Sequence, residues 1–147
     1  MRARELASEF PTVSLDTDAL EAARLLAHRH LPGLIVVDAR GRPITILPGT
    51  QVMRFAVPRY VQDDPALARV IDERAADSLW QALAGTTVRD LLPGKDRELP
   101  VVNGDDTALE IAAIMARARC PVVAVVEHDR LLGAITLDAL LGRMLPA

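Results

Sequence analysis

Aromatic side chains are scarce in this 147-residue chain: two Phe, one Trp and one Tyr make up 3% of it. A core must therefore be assembled from Val, Leu, Ile and Ala, and little is left for stacking on nucleobases. Charge of one sign is also lacking. Seventeen Lys and Arg stand against 20 Asp and Glu, so the net charge of −3 provides no footprint for nucleic acid. Cysteine occurs once, at Cys120, which excludes an internal disulfide. No run approaches the roughly 18 apolar residues of a membrane span, and the start, MRARELASEF, lacks the apolar stretch of a secretory signal. The expectation is a cytoplasmic protein with neither a nucleic-acid nor a membrane partner.

What is present is a duplication. Residues 18–38 read DALEAARLLAHRHLPGLIVVD, and residues 107–127 read TALEIAAIMARARCPVVAVVE. Leu20 aligns with Leu109, Glu21 with Glu110, Pro32 with Pro121, and Val36 and Val37 with Val125 and Val126. A related tag precedes each copy, ARELA at 3–7 and VRDLL at 88–92. The repeat divides the chain into a first motif at 1–57, a connecting segment at 58–86 and a second motif at 87–147.

Each copy runs strand–helix–strand–strand–helix, which predicts a mixed α/β (α+β) fold. The opening strands are PTVSL at 11–15 and LPVVN at 99–103. In the helices that follow, Leu20, Ala23 and Ala27 match Leu109, Ala112 and Ala116 at the spacing of a buried stripe. Thr107 with Glu110 has the form of a capping box, as Asp18 with Glu21 does less clearly. Pro32 and Pro121 end the helices. LIVV and VVAVV then read as strands buried on both faces. Neither half alone can bury a comfortable core, so the copies are expected to pack sheet against sheet.

The connecting segment predicts a helix after Pro65, with Leu67, Ile71, Ala75, Leu79 and Leu83 repeating every four residues and Gly85 as its stop. Trp80 is expected to cover the core.

The copies differ at the turn between their last strand and closing helix. The second copy has LLGAITLDALL with Gly133 and Thr136, where the first has Thr45 and Pro48. With the duplicated element order, VRDLL, CPVVAVVE and LLGAIT, the chain resembles the cystathionine β-synthase (CBS) domain family, as a tandem pair. The resemblance implies two motifs packed as one pseudo-two-fold module with a helical insertion, commonly paired in a homodimer. It also implies a cleft for an adenine nucleotide (AMP, ADP or ATP) or an adenosyl compound such as S-adenosylmethionine, and control of a protein partner. The family's ligand pattern is Gly-x-x-Thr with an Asp three residues on. Gly133 and Thr136 match it, but the third position is Ala139, and Asp138 lies one residue early, about 100° away around a helix. In the first copy Thr45, Pro48 and Gln51 fill the three positions, so all three are changed. The candidate ligand residues are therefore Gly133, Thr136 and Asp138, with the segment Pro121, Val122 and Val123, which the resemblance places near the base. Thr136 and Asp138 also suit a helix start by themselves, so a cap alone and a cap that touches ligand both remain open.

No catalytic set is evident, and the chain does not read as an enzyme. His28, His30 and His128 are scattered, without metal-ligand spacing. Cys120 reads as a buried inert thiol. The carboxylate pairs Asp63–Asp64 and Asp105–Asp106 read as solvated residues near helix starts. Two functions fit: a small-molecule-sensing regulatory module, or a ligand-free scaffold for dimerisation and docking.

Overall fold

The computed structural model describes residues 1–92 and 99–147; most of the LPG turn read at 92–94 lies outside them. Both copies have the expected order. The first contains β1 (Thr12–Val13), α2 (Ala19–Arg29), β2 (Gly33–Val37), β3 (Pro43–Pro48) and α3 (Gly49–Ala56), preceded by the short helix α1 (Ala3–Leu6). The second contains β4 (Val101–Asn103), α7 (Ala108–Ala118), β5 (Val122–Glu127), β6 (Arg130–Thr136) and α8 (Leu137–Met144), preceded by α6 (Val88–Leu91). Each set of strands forms a three-stranded sheet, in the orders β1-β2-β3 and β4-β5-β6. In the second sheet β4 runs parallel to β5 and β5 antiparallel to β6, with Val122 opposite Thr136 and a register shift at Val125/Val126.

By compactness the chain divides into two units that interleave the segments of the repeat. One gathers Met1–Thr12, Ile35–Ile46 and Arg97–Ala147, and the other Val13–Leu34 and Leu47–Asp96. The lead tags account for much of this, because each docks on the opposite copy. In the first unit the Ala3 amide donates to the Asp106 carbonyl (2.8 Å) and the Arg4 amide to that of Gly104 (3.0 Å). The Arg4 guanidinium bridges Asp105 and Glu127, which keeps it charged throughout the ordinary pH range. In the second unit the Val88 amide donates to the Thr17 carbonyl (2.9 Å) and the Arg89 amide to that of Leu15 (3.0 Å).

The core of the first unit joins Ala3 and Leu6 of α1 to Val102, Ile111, Met115, Val123, Val125, Ile135 and Leu140. Fully burying one such side chain contributes about 1.5–3 kcal/mol. The buried helical rows differ from the expected stripe. Ala19, Ala22 and Leu26, with Ile111 and Met115, are buried, whereas Ala27 and Ala116 are exposed and Leu109 is 72% exposed. One residue turns a helix face by about 100°. The bulkier Leu26, Ile111 and Met115 take the inward row. Both helices end before their prolines, at His30 and Arg119, which adopt the left-handed conformation.

The connecting segment is not one helix. It comprises α4 (Arg59–Asp63), a 3-10 stretch (Pro65–Val70) capped by Asp64, and α5 (Glu73–Gln81), which starts anew at Asp72. The Asp72 carboxylate accepts from the Ala75 amide (2.8 Å), and this local cap competes with helix continuation. Trp80 is 45% exposed and Val70 84%, so the expectation that Trp80 covers the core is corrected. No residue of the 3-10 stretch or of α5 is buried.

Thr107 and Glu110 form the full capping box, whereas Asp18 only accepts from the Leu20 amide. Thr107→Ala is expected to cost about 1 kcal/mol and to lower Tm by roughly 2–4 °C, read by thermal denaturation at neutral pH.

Candidate ligand site in the second half

The expected site residues surround the junction of β6 and α8, but not as one wall. Thr136 caps α8: its hydroxyl oxygen accepts from the Ala139 amide at 3.4 Å. The nearby hydroxyl, with the amides of Asp138 and Ala139, holds the Asp138 carboxyl below its usual range. The Leu137 amide donates to the Pro121 carbonyl at 2.9 Å. Two of the amides at this helix start are thus already bonded within the protein.

Gly133 has a definite backbone neighbour. A Cβ built there would lie 2.3 Å from the Ser8 carbonyl oxygen and 3.0 Å from its carbon. Ser8 and Ala134 form an isolated antiparallel bridge, each amide donating to the other's carbonyl at 3.0 Å. The glycine admits the main chain of the N-terminal segment. Val122 and Val123 are fully buried strand residues, and Val123 belongs to the core cluster. The Val123 side chain faces the apolar core of the first unit.

The remaining residues fall beside two cavities of the first unit. Asp138 and Ala139 line one of about 400 Å³ with Glu5, Ser8 and Arg143. Pro121 and Leu137 line another of about 370 Å³, an apolar groove floored by Met115, Cys120 and Leu140. The Cys120 thiol donates to the Val122 carbonyl at 3.2 Å and is buried, as expected. Glu5, Ser8 and Arg143 were missed in the sequence. The ARELA tag signalled that the segment matters, but nothing local shows that it reaches α8.

The first-copy turn is built otherwise. Pro48 caps α3 without a side-chain bond, and the Gln51 side chain donates to the Leu91 carbonyl at 2.9 Å. Thr45, opposite Gly133 in the repeat, is buried.

Among known proteins, the family model described as CBS domain matches residues 3–55 and 88–146. A CBS domain-containing protein of unknown function from Kribbella flavida DSM 17836 is 60% identical, with 97% of each chain covered and a TM-score of 0.88. The CBS domain of a CBS domain-containing membrane protein from Sphaerobacter thermophilus shares the fold at 21% identity and a TM-score of 0.73, over 99% of this chain and 88% of that one. CBSX2, solved in complex with AMP, shares it at 18% identity and a TM-score of 0.67, over 97% and 94%. No curated protein matches the chain. No helix among the described residues is long and apolar enough to cross a membrane.

Gly133→Ala is expected to force the Ser8 backbone away and cost about 1–3 kcal/mol, measured as a lowered denaturation midpoint. Asp138 carries the sign of a depressed acid. It adds stability above its unfolded pKa, and this is lost as pH falls through the lower folded value. Asp138→Asn is expected to lower Tm at pH 7 and to converge with the parent at the acid end of a pH series of melts.

Proposed function

The chain belongs to the CBS domain family as a tandem pair, and we propose from this premise that it is a ligand-sensing regulatory module. CBS domain pairs are nucleotide-binding regulatory modules, and proteins made only of them are generally regulatory rather than catalytic. In this reading an adenine nucleotide or adenosyl compound binds at the start of α8, and the module acts as a homodimer upon a protein partner in the cytoplasm. The observation that carries the reading is the place of Asp138, in the first turn of the helix that Thr136 caps, on the wall of the 400 Å³ cavity. A carboxylate accepts from sugar hydroxyls. The AMP bound by CBSX2, a protein of the same fold, supports the ligand class. Leu137, Leu141 and Met144, each more than two-fifths exposed along α8, support pairing with a second copy. Occupancy reaches a partner only if the ligand prefers one arrangement of the module.

A ligand-free scaffold is the second reading. It is favoured by the internal bonds of the Leu137 and Ala139 amides and by alanine at position 139.

Thermal melts with AMP, ADP, ATP and S-adenosylmethionine separate the two. A ligand at one hundred times its Kd adds about 2.7 kcal/mol, roughly 5–11 °C for a chain of this size. The sensor predicts a shift for one of them that is lost in Thr136→Ala and enlarged in Ala139→Asp. No shift with any of the four at millimolar concentration leaves the scaffold as the function.

A further inference from the structure

The connecting segment is folded with almost no core of its own. Between 58 and 86 only Val61 and Leu83 are buried hydrophobics, one towards each end. A surface helix ordinarily turns its apolar residues to a core. The four-residue period of Leu67, Ile71, Ala75 and Leu79 suits such burial, yet the 3-10 stretch and α5 bury none of them.

The large apolar side chains left outside belong to these two elements. Leu67 and Val70 lie three residues apart on the 3-10 stretch, where side chains at that spacing eclipse. Both are exposed, Val70 almost wholly. Trp80 is exposed on α5, and an aromatic of that size is a common anchor of a protein interface. Scattered singly, such residues are ordinary surface. Three in one coreless segment form an apolar face that the chain leaves uncovered.

The charge beside that face is mainly of one sign. Glu73, Asp77 and Trp80 fall at i, i+4 and i+7 of α5 and so share one side of it. Neither carboxylate has a hydrogen bond or an ion pair among the described residues. Five Asp and Glu against three Arg give residues 58–86 a net charge of −2, out of −3 for the whole chain. Carboxylates next to an indole attract a cation in two ways, by ion pairing and through the ring face. An acidic border repels nucleic acid and anionic lipid and steers basic partners. A helix offers both complementary features on one side, an apolar stripe with charges along its edge.

We infer that the connecting segment is the docking surface for the protein partner, and that it receives an amphipathic helix whose apolar face is bordered by lysine or arginine. Docking here gives the regulatory reading a place and a charge for its partner, and rests on that reading for the partner's existence. It makes no use of the start of α8.

Trp80 is the sole tryptophan, so its emission reports burial at this surface. Fluorescence titration of the full chain uses a peptide of about four helical turns, made of Leu and Lys in amphipathic order. The emission is expected to move to shorter wavelength, with half-saturation below about 100 µM. The same peptide with Glu in place of Lys is expected to leave it unchanged. Glu73→Gln with Asp77→Asn should weaken the Leu–Lys peptide about tenfold, and Val70→Ser should do so by about as much. A melt checks that each variant folds. Thr136→Ala should bind the peptide as the parent does, so failure of docking is told apart from failure of the α8 reading, which the nucleotide melts decide. No response at about 1 mM peptide, or calorimetric binding without a change in Trp80 emission, overturns the surface. An equal response to the Glu peptide, or equal affinity in the folded acid-to-amide variant, overturns the basic partner. A shift on raising the protein concentration alone assigns the face to a second copy, and a shift with phosphatidylcholine vesicles assigns it to lipid. Either result overturns the inference.

Discussion

The main chain of Ser8 lying against Gly133 is the constraint on which the second half is built. Ser8 and Ala134 exchange both amide bonds, and the neighbouring residue must present bare backbone for the strands to approach so closely. Once that bridge closes, α1 lies where Ala3 and Leu6 enter the core. Glu5 and Ser8 are brought beside Asp138 in the same step. Bringing together residues more than a hundred positions apart costs chain entropy, although the cost grows slowly with loop length. Two main-chain bonds, the apolar burial of α1 and the Arg4 bridge to Asp105 and Glu127 oppose that cost together. The Arg4 ion pairs alone are too exposed to count for much. A loss of the close approach at Gly133 would therefore disturb the core and the polar cavity at once.

The lead helix α6 solves the same problem with different chemistry. Its amides reach the first copy through Thr17 and Leu15, and it starts in a capping box formed by Thr87 and Asp90. Gln51 fastens the other side of it. The arrangement is one pattern used twice, a short helix crossing to the copy it does not precede. Duplication explains the pattern, and the side chains that secure it have diverged.

Much of the fold was legible because local rules write it. The uninterrupted apolar strands, the Thr107 box and the element order follow from neighbours in sequence. The crossing of the tags was not legible, since Arg4 and Asp105 carry no mark of each other. The connecting helix failed for a physical reason. A four-residue apolar period cannot reveal that Asp72 prefers to cap a new helix, or that no core waits for Trp80. Of the candidate site, the capping of α8 by Thr136, with Asp138 in its first turn, follows from their place at a helix start. That Pro121 and Asp138 line separate cavities does not, because it depends on which flank of α8 each neighbour occupies.

The two turns share one bond and differ in the rest. The Gly49 amide donates to the Pro32 carbonyl (3.0 Å) as the Leu137 amide does to that of Pro121 (2.9 Å), so strand and helix are joined alike. Past that bond the first half commits Gln51 to the backbone of α6, and a side chain bonded there is no longer available to a ligand. The second half has Ala139 at that position, and Asp138 lines the cavity beside α8. The charges that remain differ accordingly. Two carboxylates and one guanidinium, from Glu5, Asp138 and Arg143, border the cavity beside α8, whereas two guanidiniums and two carboxylates border the one beside α4. Charge at one cavity thus leans negative and at the other is balanced, although the two turns share the bond that joins strand to helix. Arg59 of the connecting segment supplies one of the guanidiniums beside α4, so the insertion accounts for part of that difference.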